Sequence, residues 1–458
     1  MSFISSLFAL LAVGAFAVLV ILRRRFIKFY SLEFLGLSFF IGLGFINYQF
    51  FLFYLFNIRF ELINFILTQA ACYIFVFYYF LKQFKDKKAL SSLEGFSSWG
   101  VIEKLFLVGV FLQFCWMFYL TLPVPVNSYD ALASYALKAK IFYLNKGVPV
   151  GFFNWNEIIV GHPDYPTLLP FFMTWVYLFT GFNDLVVTNI MPVTFVFFLI
   201  LFYAQLKKIF NRKYALAAVF IISTIPRVYG YAMIIHADIF LLAFITSASL
   251  YFFLYIRHSN KEYLILSSVL FALSIWVKNE AIVFVFAFLL CLVFFLFKPS
   301  SGNKIQIQRH LALVILIFFV ISGPWFMLKF SKHMTNSDIN FSALTLNKIF
   351  TNIKDIPIMC NEFQKQVFGQ KYWNIFWVVV IGAMILNFKK LFKGEVFYIT
   401  LFLVISVFCY FIAYMITTQE NLAFYLEKTL SRFMIHFTGV FLFLLVYLFW
   451  NMHEEGRS

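Results

Sequence analysis

The sequence predicts an all-α polytopic membrane protein, with about 13 transmembrane helices and juxtamembrane helices in a large first loop. Three observations carry this expectation. The 458 residues are 63% hydrophobic and only 12% charged, whereas soluble domains average about half apolar and about a quarter charged. A mean hydropathy of +0.88 leaves more apolar surface than a soluble core could hide. Apolar runs of bilayer length, about 20 residues each, also recur along the whole chain.

Those runs lie near 3–22, 29–56, 60–81, 102–122, 184–206, 214–229, 239–256, 262–277, 280–297, 310–330, 373–387, 395–416 and 433–450. The first lacks a basic n-region and a small-residue cleavage site, so it reads as a retained helix rather than a signal peptide. No internal repeat or low-complexity linker divides the chain. The reading is of extra N-terminal helices over 1–100, a main membrane domain over 101–450 and a cytoplasmic tail at 451–458.

Composition excludes some functions. The 69 phenylalanines need no functional account, because lipid-facing helices accept any large apolar residue. The net charge of +16 is spread over short segments between apolar runs. Positive-inside topology explains such a pattern, and no nucleic-acid partner is expected. The five cysteines are far apart, with no metal-ligand spacing and no disulfide framework.

Topology follows from the connections. Arg23-Arg24-Arg25, Lys82 to Lys88, Lys207 to Lys213, Arg257 to Lys261, Lys298 to Arg309 and Lys389 to Lys393 are short and basic. Placing them in the cytoplasm sends the loops 123–183 and 331–372 to the other side, with 417–432 as a third outer segment. Counting Pro166–Gly181 as a span would invert Lys207–Lys213. It is therefore expected as a juxtamembrane or re-entrant helix within the first loop. The N-terminus is then outside and the C-terminus inside.

The polar residues fall on that outer side. Asn127-Ser-Tyr-Asp130 opens a helix in which Asp130, Ser134 and Lys138 sit four apart and share a face. Lys140 follows two residues later. Asn127 or Ser128 could cap this helix, with Asp130 favouring its N-terminal dipole. Gly161-His162-Pro-Asp164-Tyr165-Pro166 enters the juxtamembrane helix, and His236-Ala-Asp238 opens the run 239–256, where Asp238 could be an N-cap. Lys278-Asn279-Glu280 forms a tight turn between two apolar runs; such a pair at membrane depth is costly unless paired or functional. Gly323-Pro324-Trp325 suggests a kink. Gln419 to Arg432 reads as an interfacial amphipathic helix. A channel or secondary transporter would place ionisable groups near the midplane, whereas here the middles of the runs are nearly free of charge.

Together these residues resemble the GT-C superfamily of integral membrane glycosyltransferases, in particular its protein-mannosyltransferase and aminoarabinose-transferase-like branch. The resemblance covers about residues 100–450 and makes 101–450 a GT-C-like catalytic membrane domain. It rests on Tyr129-Asp130-Ala131 with Lys138-Ala-Lys140, on Tyr165-Pro166, on Ala237-Asp238-Ile239, on Lys278-Asn279-Glu280 and on Gly323-Pro324-Trp325. It implies a sugar donor carried on a polyprenyl phosphate and transferred with inversion on the outer face. The acceptor would be a lipid, a glycan or a protein. By resemblance Asp130 is the general base and Asp238 the second acid. Two positions depart from the aminoarabinose-transferase pattern: Ala133 stands where an Arg is expected, and Tyr165 where a Lys is expected.

The chemistry suits these residue types. A sugar hydroxyl needs a carboxylate to take its proton as it attacks the anomeric carbon. The departing lipid phosphate needs cations, for which Lys138, Lys278 and Arg432 are candidates. Lys140, His162, Tyr165, His236 and Glu280 complete the expected substrate-binding set. No Gly-rich phosphate loop is present. No cofactor is called for, although a divalent metal would be compatible. The alternatives are a flippase or transporter for lipid-linked glycans, and a glycan polymerase or ligase. The expected location is a cell membrane of bacterial inner-membrane type, with the site facing away from the cytoplasm.

Overall fold

The computed structural model describes residues 2–22, 31–84, 99–154, 162–297, 304–334, 345, 350, 352–417 and 421–455. Several expectations lie outside these residues: Arg23-Arg24-Arg25, most of the basic segments after 84 and 297, Gly161, much of the loop 331–372, Gln419 and the last three residues. Among the described residues no β-strand forms. Among these residues eight helices are long and apolar enough to cross a bilayer, and the bent pair Ile305–Ile321 and Gly323–Ser331 makes a ninth if taken as one span. The expected all-helical membrane architecture is what the chain adopts.

The chain divides into two compact units. The first holds Met1–Pro163, Thr167–Phe220 and Ala232–His236. Its helices are α1 (Phe3–Ile21), α2 (Leu32–Leu55), α3 (Leu62–Phe84), α4 (Val101–Thr121), α5 (Ala136–Leu144), α6 (Leu168–Thr180), α7 (Asp184–Val187) and α8 (Ile190–Leu206). Helix α9 (Arg212–Thr224) begins in this unit. Helix α2 is apolar on all sides and mostly buried, as expected of a helix enclosed by neighbours. It meets α1 at a close crossing. A Cβ on Gly14 would lie 1.7 Å from the Ser38 carbonyl oxygen, and one on Gly42 would lie 2.6 Å from that of Leu10. Small residues at such crossings let backbones touch, which is how helices gain packing energy inside lipid.

Helix α3 is held to α2 by polar side chains. Gln49 Nε2 donates to Thr68 Oγ1 at 2.5 Å, Gln69 Nε2 donates to Gln49 Oε1 at 2.5 Å, and Tyr73 donates its hydroxyl to Gln69. Helix α6 has 13 residues, about 20 Å at 1.5 Å per residue. It is shorter than the roughly 30 Å hydrocarbon core, as the parity argument asks.

The second unit holds Asp164–Pro166, Ile221–Tyr231 and Ala237–Ser458. It contains the end of α9, then α10 (Pro226–Tyr231), α11 (Asp238–His258), α12 (Lys261–Ser274), α13 (Ala281–Leu296), α14 (Lys304–Ile321), α15 (Gly323–Ser331), α16 (Ile356–Phe368), α17 (Gln370–Trp373), α18 (Phe376–Leu386), α19 (Val396–Met415) and α20 (Leu422–Glu455). Helix α11 is buried along nearly its whole length, and α20 presses against it where a Cβ on Gly439 would fall 2.1 Å from Thr246 Oγ1.

Two segments differ in detail from the sequence reading, and a third bends where the sequence suggests. The run 214–229 breaks at Pro226, which lacks an amide donor and clashes with the preceding turn, so α9 and α10 are separate. The segment expected as a separate interfacial helix before Arg432 is instead continuous with the last apolar run. No Gly or Pro occurs between Leu422 and Thr438 to stop the helix. The kink expected at Gly323-Pro324 is present, with α14 and α15 bent by 50°. The Ile321 carbonyl at this break accepts from Trp276 Nε1, just beyond α12, at 2.7 Å, and Ser322 Oγ donates back to the Ala272 carbonyl of α12 at 2.9 Å.

Replacing Gly14 by Val would force α1 and α2 apart, at a cost of about 1–3 kcal/mol. The expected result is a lower thermal midpoint in detergent; an unchanged midpoint would refute the close crossing.

Candidate functional site

In the first unit the acid expected from the sequence acquires a partner from far along the chain. Asp130 precedes a wide π turn, Ala131–Tyr135, that leads into α5. Its Oδ2 lies 2.7 Å from His236 Nε2; an imidazole N–H donates here and the carboxylate accepts. The His236 side chain is 5% exposed and Asp130 33%, so the pair has a buried anchor and an accessible acid. The Tyr135 ring meets His236 edge-on at 6.1 Å. Ser128 does not cap the helix: its hydroxyl donates to the Ile235 carbonyl at 3.2 Å, fastening the segment before Asp130 to the residue before His236.

The wide turn alters the expected shared face. A π turn holds one residue more than an α turn, so four-residue spacing no longer keeps Asp130 aligned with Lys138. Ser134 and Lys138 are buried. Lys138 Nζ donates to the His162 carbonyl at 2.7 Å, with His162 in a left-handed conformation at φ 55°. Lys138 therefore fastens the loop to α5. Lys140 is exposed and lies 5.2 Å over the Phe182 ring.

The second unit gathers most of the other expected residues around Asp238. This acid is the first residue of α11, where the helix dipole favours a carboxylate, and it is 0% exposed. Lys278 Nζ lies 2.8 Å from its Oδ1, His436 Nε2 lies 2.7 Å from the same oxygen, and Arg432 Nε lies 3.5 Å from Oδ2. Lys278 also pairs with Glu280 at 3.0 Å. Burial works against the Lys278 ammonium, but the two carboxylates outweigh it and hold its pKa above the ordinary lysine value. Arg432 and His436 are four apart on α20 and so face Asp238 together. His436 Nδ1 lies 3.1 Å from the Tyr410 hydroxyl.

A second chain of contacts starts from the same turn. Asn279 Nδ2 donates to Asp164 Oδ2 at 3.1 Å, and Lys329 Nζ, on the bent helix α15, donates to Asn279 Oδ1 at 2.9 Å. Tyr165, next to Asp164, is half-buried. Arg227 on α10 lies between two tyrosine rings, 4.7 Å from that of Tyr231 and 4.8 Å from that of Tyr372, and donates to Ser431, the neighbour of Arg432.

Sequence reasoning missed His436, Arg227 and Lys329. A signal existed for His436, since an ionisable residue within an apolar run is suspect by default. The same signal applied to Arg227 and Lys329, which lie near the ends of the apolar runs 214–229 and 310–330. Among the described residues no group of three or more His, Cys, Asp or Glu could hold a metal ion.

Lys278→Met would leave Asp238 buried without its ammonium, and breaking a buried pair costs about 3–5 kcal/mol. The expected outcome is a large fall in folded protein recovered from membranes. Wild-type recovery with an unchanged thermal midpoint would show that the pair does not hold these helices.

Comparison with known proteins adds one match. The model of the dolichyl-phosphate-mannose-protein mannosyltransferase family matches residues 164–327, about a third of the chain. The matched segment contains Asp164, Arg227, His236, Asp238, the Lys278-Asn279-Glu280 turn and the Gly323-Pro324 bend; Asp130, Lys138 and Arg432 fall outside it. No curated protein and no solved structure matches the chain. On an all-helical membrane frame, this match supports a GT-C superfamily integral membrane glycosyltransferase.

Proposed function

We propose that this chain moves a sugar from a polyprenyl-phosphate donor to an acceptor on the non-cytoplasmic side of the membrane, with inversion and with Asp130 as general base. The observation that carries the proposal is the Asp130–His236 pair: a partly exposed carboxylate held at 2.7 Å by a buried imidazole. An acid fixed in this way can take a hydroxyl proton without first reorganising. The family match lends the donor class, since that family uses a lipid-linked sugar. The basic connections of the chain favour the side.

The cations divide by burial. Lys138 and Lys278 are 0% and 2% exposed and are occupied internally, so in this reading they position loops and helices. Arg432, with 20% of its side chain exposed, is the group offered to the leaving phosphate. Asp238 is wholly buried and acts through Arg432, Lys278 and His436 rather than on the sugar. His162, Tyr165, Lys140 and Glu280 remain proposed as lining or supporting residues.

Turnover of a panel of polyprenyl-phosphate sugars, followed by mass spectrometry as loss of donor, tests the activity. Asp130→Asn should lower turnover by about 10²–10⁴, the usual contribution of a positioned base, with normal insertion. Full activity in that variant would sink the carboxylate mechanism, and no turnover of any donor by the wild type would favour a lipid-linked-glycan transporter. Arg432→Ala should raise the donor KM about tenfold or more, the size of a charge-assisted hydrogen bond. An effect confined to the acceptor KM would remove Arg432 from the phosphate.

A further inference from the structure

Nothing in the proposed chemistry uses α1–α3, yet these helices are bonded to the loop that carries Asp130, all within the first unit. Trp175 Nε1 of α6 donates to the Ser6 carbonyl of α1 at 3.0 Å. Thr167, which precedes α6, donates its hydroxyl to Asn47 Oδ1 of α2 at 3.2 Å. Between α2 and α3, the Phe60 amide donates to the Lys146 carbonyl at 2.7 Å, and Glu61 accepts from Lys146 Nζ at 2.8 Å. Aromatic rings fill the remaining contact. Phe50 stacks on Phe171 at 4.9 Å, Phe65 meets Trp175 edge-on at 5.6 Å, and Tyr54 meets Phe153 at 5.6 Å.

Helix α5 in turn rides on α6. The rings of Phe142 and Phe171 are 5.3 Å apart, and Thr174 Oγ1 donates to the Ala139 carbonyl at 3.4 Å. The contacts thus run from α1–α3 through α6 to α5 and so to the turn that Asp130 opens. A helix set needed only for anchoring would require apolar contact alone. Here, the Lys146 carbonyl and the Trp175, Thr167 and Lys146 side chains of the loop are engaged by directional hydrogen bonds.

The far end of α5 supplies an independent observation. Lys146 takes the left-handed conformation, φ 50°, in the turn that ends the helix, where the Gly147 amide donates to the Phe142 carbonyl at 3.0 Å. Phe60 and Glu61 hold its carbonyl and its ammonium. The hydrogen bond and charge of Lys146 also keep the Glu61 carboxyl below its usual pKa.

We propose that α1–α3 form a socket that positions the acid-bearing loop, with Glu61 and Lys146 as a latch that sets the far end of α5. This rests on Asp130 being the base; Glu61 and Lys146 are positioning residues and touch no substrate.

A charge swap in the full-length protein tests it. The pair lies at the surface, with 57% of the Lys146 side chain and 33% of the Glu61 side chain exposed, and surface pairs contribute little to stability, so the variants should fold. Glu61→Lys should lower kcat about tenfold with the donor KM within twofold, and should speed amide hydrogen exchange over residues 130–144. Adding Lys146→Glu should restore both. Full activity and unchanged exchange in Glu61→Lys, or losses that the swap does not recover, would overturn the latch. Faster exchange in Glu61→Lys alongside a fully active Asp130→Asn would uphold the socket and discard Asp130 as the base instead.

Discussion

Everything around α11 depends on keeping one carboxylate, Asp238, out of water. A buried charge is tolerated only when paired and hydrogen-bonded, and Asp238 draws its partners from the turn after α12 and from α20. In an aqueous core such a cluster would be weak evidence for stability. Between apolar helices it has another effect. Sliding α20 by one turn would leave Asp238 without His436 and Arg432, so the cluster fixes register where apolar side chains alone would accept several registers. The small-residue contact of Gly439 with Thr246 lies on the same pair of helices and agrees with that register.

The same demand appears wherever the helices are interrupted. A bend in a spanning helix frees backbone groups, and hydrocarbon offers them no partner. The break between α14 and α15 answers with Trp276 and Ser322, which place two side-chain or carbonyl bonds where the helix ladder stops. The bend then directs α15 so that Lys329 reaches Asn279. One tight turn, Lys278-Asn279-Glu280, thereby reaches α11 through Lys278 and α15 through Asn279.

Much of this was legible in the sequence. The apolar runs marked the helices because bilayer thickness sets a minimum length, and Gly323-Pro324 marked the bend because proline cannot continue a hydrogen-bond ladder. Lys278 and Glu280 stood out because charge is rare and expensive in such a chain. What could not be read were pairings across long separations. Asp130 and His236 are 106 residues apart, and Asp238 and His436 are 198 apart; no local pattern encodes either. The π turn at Ala131–Tyr135 was equally hidden, since its residues suit an α-helix just as well. The bond from Trp175 of α6 to α1 ends on the Ser6 carbonyl, a group that every residue possesses.

The uninterrupted helix α20 has a metric consequence. Its 34 residues extend about 51 Å at 1.5 Å per residue, well beyond a hydrocarbon layer of about 30 Å. From Arg432 to Trp450 along that rod is about 27 Å, nearly one membrane thickness, and tryptophan favours the headgroup boundary. One unbroken helix therefore sets the separation of these two side chains by its own rise, with no loop between them to let it vary.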